Sequence, residues 1–282
     1  MDYLPAVKDY TFIAERAGLP NPGKVAKAFS SDPFMLLGFL EQNKVFDFLL
    51  GGKNASVKDS GRIHPYFIML AAASRYLKQS GISDTKLILY VGEMLTKFSD
   101  LKVWREIPLE LGENNNPKGD HVSDFIYAVE TQTSREEDSN ARFRVCKKAG
   151  DFALFMSGVF ADRIIYRSSL GKPTATLETF DWWGTYSFSK ALEYAAANHP
   201  PMSKLSRKEF FKPTREALHE LAGRHLLFDD LEKMIMRMFS NPSDRKAQVL
   251  YRFLMGNEET RGTDYRRVVR KRIPRKRLRE SK

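Results

Sequence analysis

The stretch Ser83-Asp84-Thr85-Lys86-Leu87-Ile88-Leu89-Tyr90-Val91-Gly92-Glu93-Met94-Leu95-Thr96-Lys97-Phe98 decides the fold class. Leu87, Tyr90, Val91, Met94, Leu95 and Phe98 recur at spacings of three and four, the pattern of one buried helical face rather than of an alternating strand. Ser83 or Asp84 can cap the exposed N–H groups at its start. Working back along the chain, His64-Pro65 opens a second helix that runs to about Gln79. Ser80-Gly81-Ile82 then joins the two as antiparallel neighbours.

The same reading extends outward. Pro5, Gly18, Pro20, Pro22 and Gly23 keep any helix around 7–17 short. Ser31-Asp32-Pro33 reads as a helix start, Asp32 capping and Pro33 at the first turn, where no N–H is needed. Phe34, Leu37, Leu40 and Phe48 predict one continuous helix to about Leu50, closed by Gly51-Gly52. Residues 109–119, with Asn114-Asn115-Asn116-Pro117, read as a loop and a soft domain boundary. A helix is expected from near Asp120 toward Thr133, and after the charged run at 135–138 another carries Phe143, Val145 and Cys146. Gly150-Asp151 reads as a break and restart, with Phe152 opening a core helix to about Ile165.

Beyond a loop at Gly171-Lys172-Pro173, a helix over 179–198 holds Trp182, Trp183, Tyr186, Phe188, Leu192 and Tyr194 as structural aromatics, and His199-Pro200-Pro201 stops it. Further helices are expected over about 208–222, 225–239 and 243–254. No alternating strand series and no repeat occurs. The fold class predicted is all-α: an irregular multi-helix bundle over 1–260 followed by a disordered, flexible basic C-terminal tail over 261–282.

Composition narrows the classes. A single cysteine excludes an internal disulfide and any multi-cysteine zinc site, and it fits a reducing compartment. Met1-Asp2-Tyr3-Leu4-Pro5 lacks the basic start and apolar run of a signal peptide. The apolar run Phe67-Ile68-Met69-Leu70-Ala71-Ala72-Ala73 is too short to span a bilayer and is followed by Arg75 and Lys78, so a cytoplasmic location without a transmembrane segment is expected.

Charge is distributed unevenly. The chain carries 46 Lys or Arg against 35 Asp or Glu, a net +11, and eleven of those cations with only two of those acids fall within 261–282. That segment is therefore +9 and the remainder only +2. Arg266, Arg267, Arg270, Lys271, Arg272, Arg275, Lys276 and Arg277 form its dense centre, interrupted by Pro274. Such a polycation neutralises phosphates and releases counterions, which points to DNA, RNA or a ribonucleoprotein. Tyr265 is its one aromatic residue, so stacking on successive bases has little support and base readout should be minor. The alternatives are a tail that serves only solubility, an anionic membrane surface, an acidic protein, or a nuclear import signal in a eukaryotic host.

Chemistry-bearing patterns are sparse. There is no Walker loop, no Gly-x-Gly-x-x-Gly turn and no Gly-x-Ser-x-Gly elbow. Glu216-Ala217-Leu218-His219 has the Glu-x-x-His spacing of a carboxylate-bridged metal site, but no second copy accompanies it, so a surface pair is expected. Asp229-Asp230-Leu231-Glu232 reads as the acidic first turn of a helix more readily than as a magnesium cluster. Lys147 and Lys148 could lower the pKa of Cys146, although a buried structural thiol is the plainer reading. No catalytic residue, metal or cofactor is assigned, and the sequence carries no signature of an oligomeric state. A protein-interaction or regulatory adaptor is the competing class, and an enzyme with an unrecognised helical active site comes third.

One resemblance spans about residues 60–200. His64-Pro65-Tyr66, Tyr90-Val91-Gly92-Glu93-Met94-Leu95, Gly150-Asp151-Phe152-Ala153-Leu154-Phe155-Met156-Ser157-Gly158-Val159-Phe160 and Gly184-Thr185-Tyr186-Ser187-Phe188 together resemble a group of uncharacterised bacterial helical proteins. That group carries a Gly-Asp-x-x-Leu-Phe-x-x-Gly-Leu-Phe stretch, and Phe188 here stands where it has Tyr. The resemblance implies a bacterial cytoplasmic helical domain and brings no activity. Asp151 and Gly158 read within it as a helix cap and a close-packing position.

Overall fold

A computed structural model describes residues 4–50, 63–100, 103, 129–169 and 175–224. Among the described residues every regular element is a helix: α1 (Val7–Arg16), α2 (Pro22–Ser31), α3 (Pro33–Leu40), α4 (Asn43–Leu50), α5 (Pro65–Gln79), α6 (Thr85–Phe98), α7 (Ser139–Val159), α8 (Ala161–Ser168), α9 (Leu177–Tyr194), α10 (Pro200–Leu205) and α11 (Lys208–Arg224). Residues 129–135 are helical as well. The all-α reading holds. The expected boundary at 109–119, the helices over 225–239 and 243–254, and the whole segment 261–282 lie outside the described residues.

Several starts follow the local chemistry read from the sequence. Asp32 Oδ1 accepts from the backbone N–H of Phe34 (2.9 Å) and Met35 (3.2 Å), with Pro33 at the first position of α3. His64 Nδ1 accepts from Tyr66 N at 3.2 Å to open α5, and Asp84 Oδ1 from Leu87 N at 2.7 Å to open α6. Between them Gly81 takes φ +81°, which a side chain would resist. The hairpin closes tightly: a Cβ on Gly92 of α6 would lie 3.0 Å from the Leu70 Cα of α5.

Other expectations are corrected. The helix over 33–50 is two helices, interrupted at Glu41 and Gln42, and Glu41 and the adjoining Asn43 bind α5. Glu41 Oε1 accepts from Ser74 Oγ and pairs with Lys78 Nζ, each at 2.6 Å, while Asn43 Oδ1 accepts from Arg75 Nη2 at 2.7 Å. The helix α2 was not anticipated. Its entry needs Asn21 at φ 51°, a left-handed conformation that asparagine tolerates better than most residues. His199-Pro200-Pro201 opens α10 instead of stopping α9, which has already ended at Tyr194.

The largest correction concerns Gly150-Asp151, where no break occurs. The helix α7 runs unbroken through both, capped instead by Asp138, whose oxygens accept from Asn140 N and Ala141 N at 3.1 Å. It stops at Phe160, not near Ile165. From Phe152 to Met156 every residue is buried, as a helix surrounded by others requires. α9 and α11 cover α7 most extensively, α5 and α6 stack beside them, and α3 and α4 close over α5.

Missing side chains set the spacing of these central helices. A Cβ on Gly150 would sit 2.8 Å from Phe188 Cε1 of α9, and one on Gly158 would sit 2.6 Å from Leu218 Cβ of α11. One on Gly184 of α9 would fall 2.2 Å from Phe211 Cζ of α11. The close-packing role read for Gly158 is thus present in the structure. Gly184→Ala gains about 1 kcal/mol of helix propensity but must displace a fully buried ring, at about 1–3 kcal/mol. Thermal denaturation should show it less stable than the parent, with Phe211→Leu restoring part of the loss. Gly38→Ala, on the exposed side of α3 with no atom near its Cβ, should instead raise stability by about 0.5–1 kcal/mol.

Candidate functional site

Arg266, Arg267, Arg270, Lys271, Arg272, Arg275, Lys276 and Arg277 lie outside the described residues, as does the acidic cluster at Asp229-Asp230-Leu231-Glu232. What the described helices assemble is a set of buried polar groups and one exposed aromatic stripe.

The first polar group joins two segments far apart in sequence. Asp151 is buried at the α6–α7 contact. Tyr90 Oη donates to its Oδ1, and Lys147 Nζ, one helical turn before it, reaches its Oδ2, each at 2.5 Å. The ammonium also lies 4.7 Å from the centre of the Tyr90 ring. Asp151 is therefore not a cap. It is a buried carboxylate with a partner on each oxygen, the arrangement that offsets the cost of removing it from water. Burial, with Asp151 and then Glu93 nearby, pushes the Tyr90 hydroxyl well above its ordinary pKa. Burial and the charge of Glu93 likewise drive that of Tyr66 upward. Both hydroxyls are held in the protonated form, and that of Tyr90 acts as a donor, not a base.

The second group is deeper. Arg215 of α11 donates through Nε to Asp181 Oδ1 at 2.7 Å and through Nη2 to Oδ2 at 3.5 Å, both side chains being almost fully buried. The exposed Glu216 lies 3.6 Å from the same guanidinium. Glu216 is thereby turned to Arg215, while His219 Nε2 lies 3.5 Å from Asp162 Oδ1 of α8. The Glu-x-x-His spacing resolves into two separate contacts. Among the described residues no three His, Cys, Asp or Glu side chains gather to hold a metal ion.

Cys146 is buried on α7, with its Sγ 3.6 Å from Thr133 Oγ1. Burial raises its pKa, outweighing the smaller opposing effects of Thr133 and Lys190, and Lys147 is turned to Asp151. The thiol is held away from the nucleophilic form.

Trp182 departs from its structural reading. Successive helical residues point about 100° apart, so a helix with one side open to solvent can hold one member of a Trp-Trp pair in the core and turn the other outward. Here Trp183 lies in the core at 1% exposure, while Trp182 stands 56% exposed. Its ring stacks on Tyr186 one turn later, with centroids 5.5 Å apart and planes at 13°. Tyr186 Oη lies 3.4 Å from Glu130 Oε1, and Lys190 is held to Glu193 at 2.9 Å. The i, i+4 spacing of Trp182 and Tyr186 carried this signal in the sequence. The pairings of Tyr90 with Asp151 and Asp181 with Arg215 left no local trace.

Two measurements test these assignments. Removing one partner of the Asp181–Arg215 pair strands a buried charge and should cost about 3–5 kcal/mol, whereas replacing both in Asp181→Leu/Arg215→Met should cost far less. A double-mutant cycle by urea denaturation reads the difference, and additive losses would contradict the pairing. Burial lowers the pKa of His64 from 6.5, only partly opposed by Asp9, and its neutral Nδ1 caps α5. Its contribution is full above about pH 6.5 and is lost as pH falls from there through the lowered folded value, because the unfolded chain takes up the proton first. His64→Asn keeps a capping oxygen but does not titrate. It should flatten the stability profile below pH 6.5.

Among the described residues no helix is long and apolar enough to cross a membrane. No family model, no curated protein and no solved structure matches this chain, so the likeness to the bacterial helical group rests on the quoted motifs alone.

Proposed function

We propose that this chain binds nucleic acid, free or within a ribonucleoprotein, by electrostatic contact through residues 261–282, with the helical body as the folded part that this segment tethers. The observation that carries the reading is the charge partition, +9 on the C-terminal segment against +2 on the rest. The body's ion pairs support it. Lys78, Lys147, Lys204 and Arg215 each have a carboxylate within 2.7 Å, so these cations serve folding rather than phosphate contact. Arg266, Arg267, Arg270, Lys271, Arg272, Arg275, Lys276 and Arg277 have fewer acids near them in sequence than cations, Asp264 and Glu280 being the only two within 261–282.

Counterion release makes the test quantitative. Each phosphate neutralised on duplex DNA contributes about −0.9 to the slope of log K against log salt, so roughly six to eight contacts give about −5 to −7. Fluorescence anisotropy with labelled duplex DNA and RNA should show that slope with little dependence on base sequence. Deleting 261–282, or changing the eight named cations to Gln, should remove binding at low salt and leave helical circular dichroism unchanged. Absence of salt-dependent binding by the full chain to either polymer overturns the proposal.

A further inference from the structure

The exposed face of α9 carries a ridge at helical spacing: Glu178, then Trp182 stacked on Tyr186, then Lys190, with Glu193 beyond and Glu130 across from the Tyr186 hydroxyl. An indole 56% exposed on a rigid helix is a large apolar surface in water, the kind of residue that anchors contacts. Its surroundings select the occupant. Glu130, Glu178 and Glu193 place three carboxylates along the ridge, while the Lys190 ammonium is held by Glu193 and lies 5.9 Å from the centre of the Tyr186 ring, leaving the outer Trp182 face open. A phosphate-bearing strand stacking a base on Trp182 would bring its charge within about one Debye length of those acids. A purely apolar partner would desolvate them. A guanidinium suits both features, because its plane stacks on an aromatic face while its N–H groups pair with carboxylates.

An arginine-rich stretch is present in the chain itself. Residues 225–260 separate 261–282 from the end of α11, and α11 lies against α9 through Phe211 at Gly184 and Arg215 at Asp181. Tethering to the same molecule raises the segment's local concentration at the ridge, which favours even weak stacking and screened ion pairs. We propose that the C-terminal arginine-rich segment of this chain docks in cis on the Trp182–Tyr186 ridge, so that the body and an external polyanion compete for it. The docking stands on the ridge and the charge pattern; the competition also rests on the nucleic-acid reading above.

The test uses the full chain. Trypsin cuts after Lys and Arg, so mass spectrometry of limited digests reads how fast 261–282 is cleaved. At low salt Trp182→Ala should speed that cleavage roughly three- to tenfold, the scale of a lost exposed cation–π contact with its accompanying ion pairs. Glu178→Gln/Glu193→Gln should act in the same direction, and both effects should shrink at about 0.5 M salt. Phe34→Ala, an equally exposed apolar change on α3, should leave the rate alone. Duplex DNA should bind Trp182→Ala more tightly by a similar factor, because docking withholds a fraction of the competent form. Unchanged cleavage in a folded Trp182→Ala protein overturns the proposal. Dependence of the protection on protein concentration overturns docking in cis, placing the contact between copies. Faster cleavage with no DNA binding by any form supports the docking and removes the nucleic-acid reading.

Discussion

The approach of α7 to α9 and α11 is the constraint on which the rest of the described structure depends. Gly150 and Gly158 of α7 leave room for Phe188 of α9 and Leu218 of α11, and Gly184 of α9 leaves room for Phe211 of α11, at positions where any Cβ would collide. Glycine in a helix costs about 1 kcal/mol relative to alanine, so three of them near the core weaken each helix in isolation. They are tolerated because the helices come close enough for large rings to fill the space between them. Phe152, Phe155, Phe180, Trp183, Phe188 and Phe211 are all essentially without solvent contact. Burying each contributes about 2–3 kcal/mol, more than the glycines forfeit.

That approach determines which polar groups must pair. Once α7 lies beside α6, Asp151 has no water to turn to, and the Tyr90 hydroxyl and Lys147 supply what solvent would have. Once α11 lies along α9, Asp181 and Arg215 face each other in the interior. Neither pair need add net stability, because desolvation consumes most of the attraction. Their effect is on register. Sliding α11 along α9 by one turn, about 5.4 Å, would strand both buried charges and drive Phe211 away from the gap at Gly184. Packing and charge specify the same alignment.

The sequence makes legible whatever is decided within about four residues. The apolar stripe of α6, the caps at Asp32 and Asp84, the helix start at His64-Pro65 and the turn at Gly81 all follow from local spacing and hydrogen-bonding capacity, and all occur. Gly150-Asp151 was misread for a reason within the same physics. A glycine that ends a helix and one that admits a neighbouring ring look alike, and so do an aspartate that caps and one that is buried. Tyr90 and Phe188 separate the two cases, and they lie 61 and 38 positions from Asp151 and Gly150. The break at Glu41 is of the same kind, since the residues Glu41 binds, Ser74 and Lys78, lie on another helix. Trp182 is an intermediate case: helical geometry turns it about 100° away from Trp183, but which of the two meets solvent is decided by the helices packed on α9.

Salt acts differently on the two kinds of charge in this chain. The Asp181–Arg215 pair is shielded from solvent, and Asp151 nearly so, so mobile ions reach them poorly and ionic strength should alter their geometry little. The cations of 261–282 outnumber the acids near them, and whatever they bind they bind through fields that fade over about 8 Å at physiological ionic strength. The stacked rings of Trp182 and Tyr186 form a third case, because an apolar face keeps its preference for a planar partner as salt rises while the carboxylates around it lose their reach. On the proposed reading, moderate salt releases polyanion contacts first, weakens a guanidinium on the ridge next, and leaves the buried pairs for last. The order follows from burial and stacking together, since every pair is built from the same few charged groups.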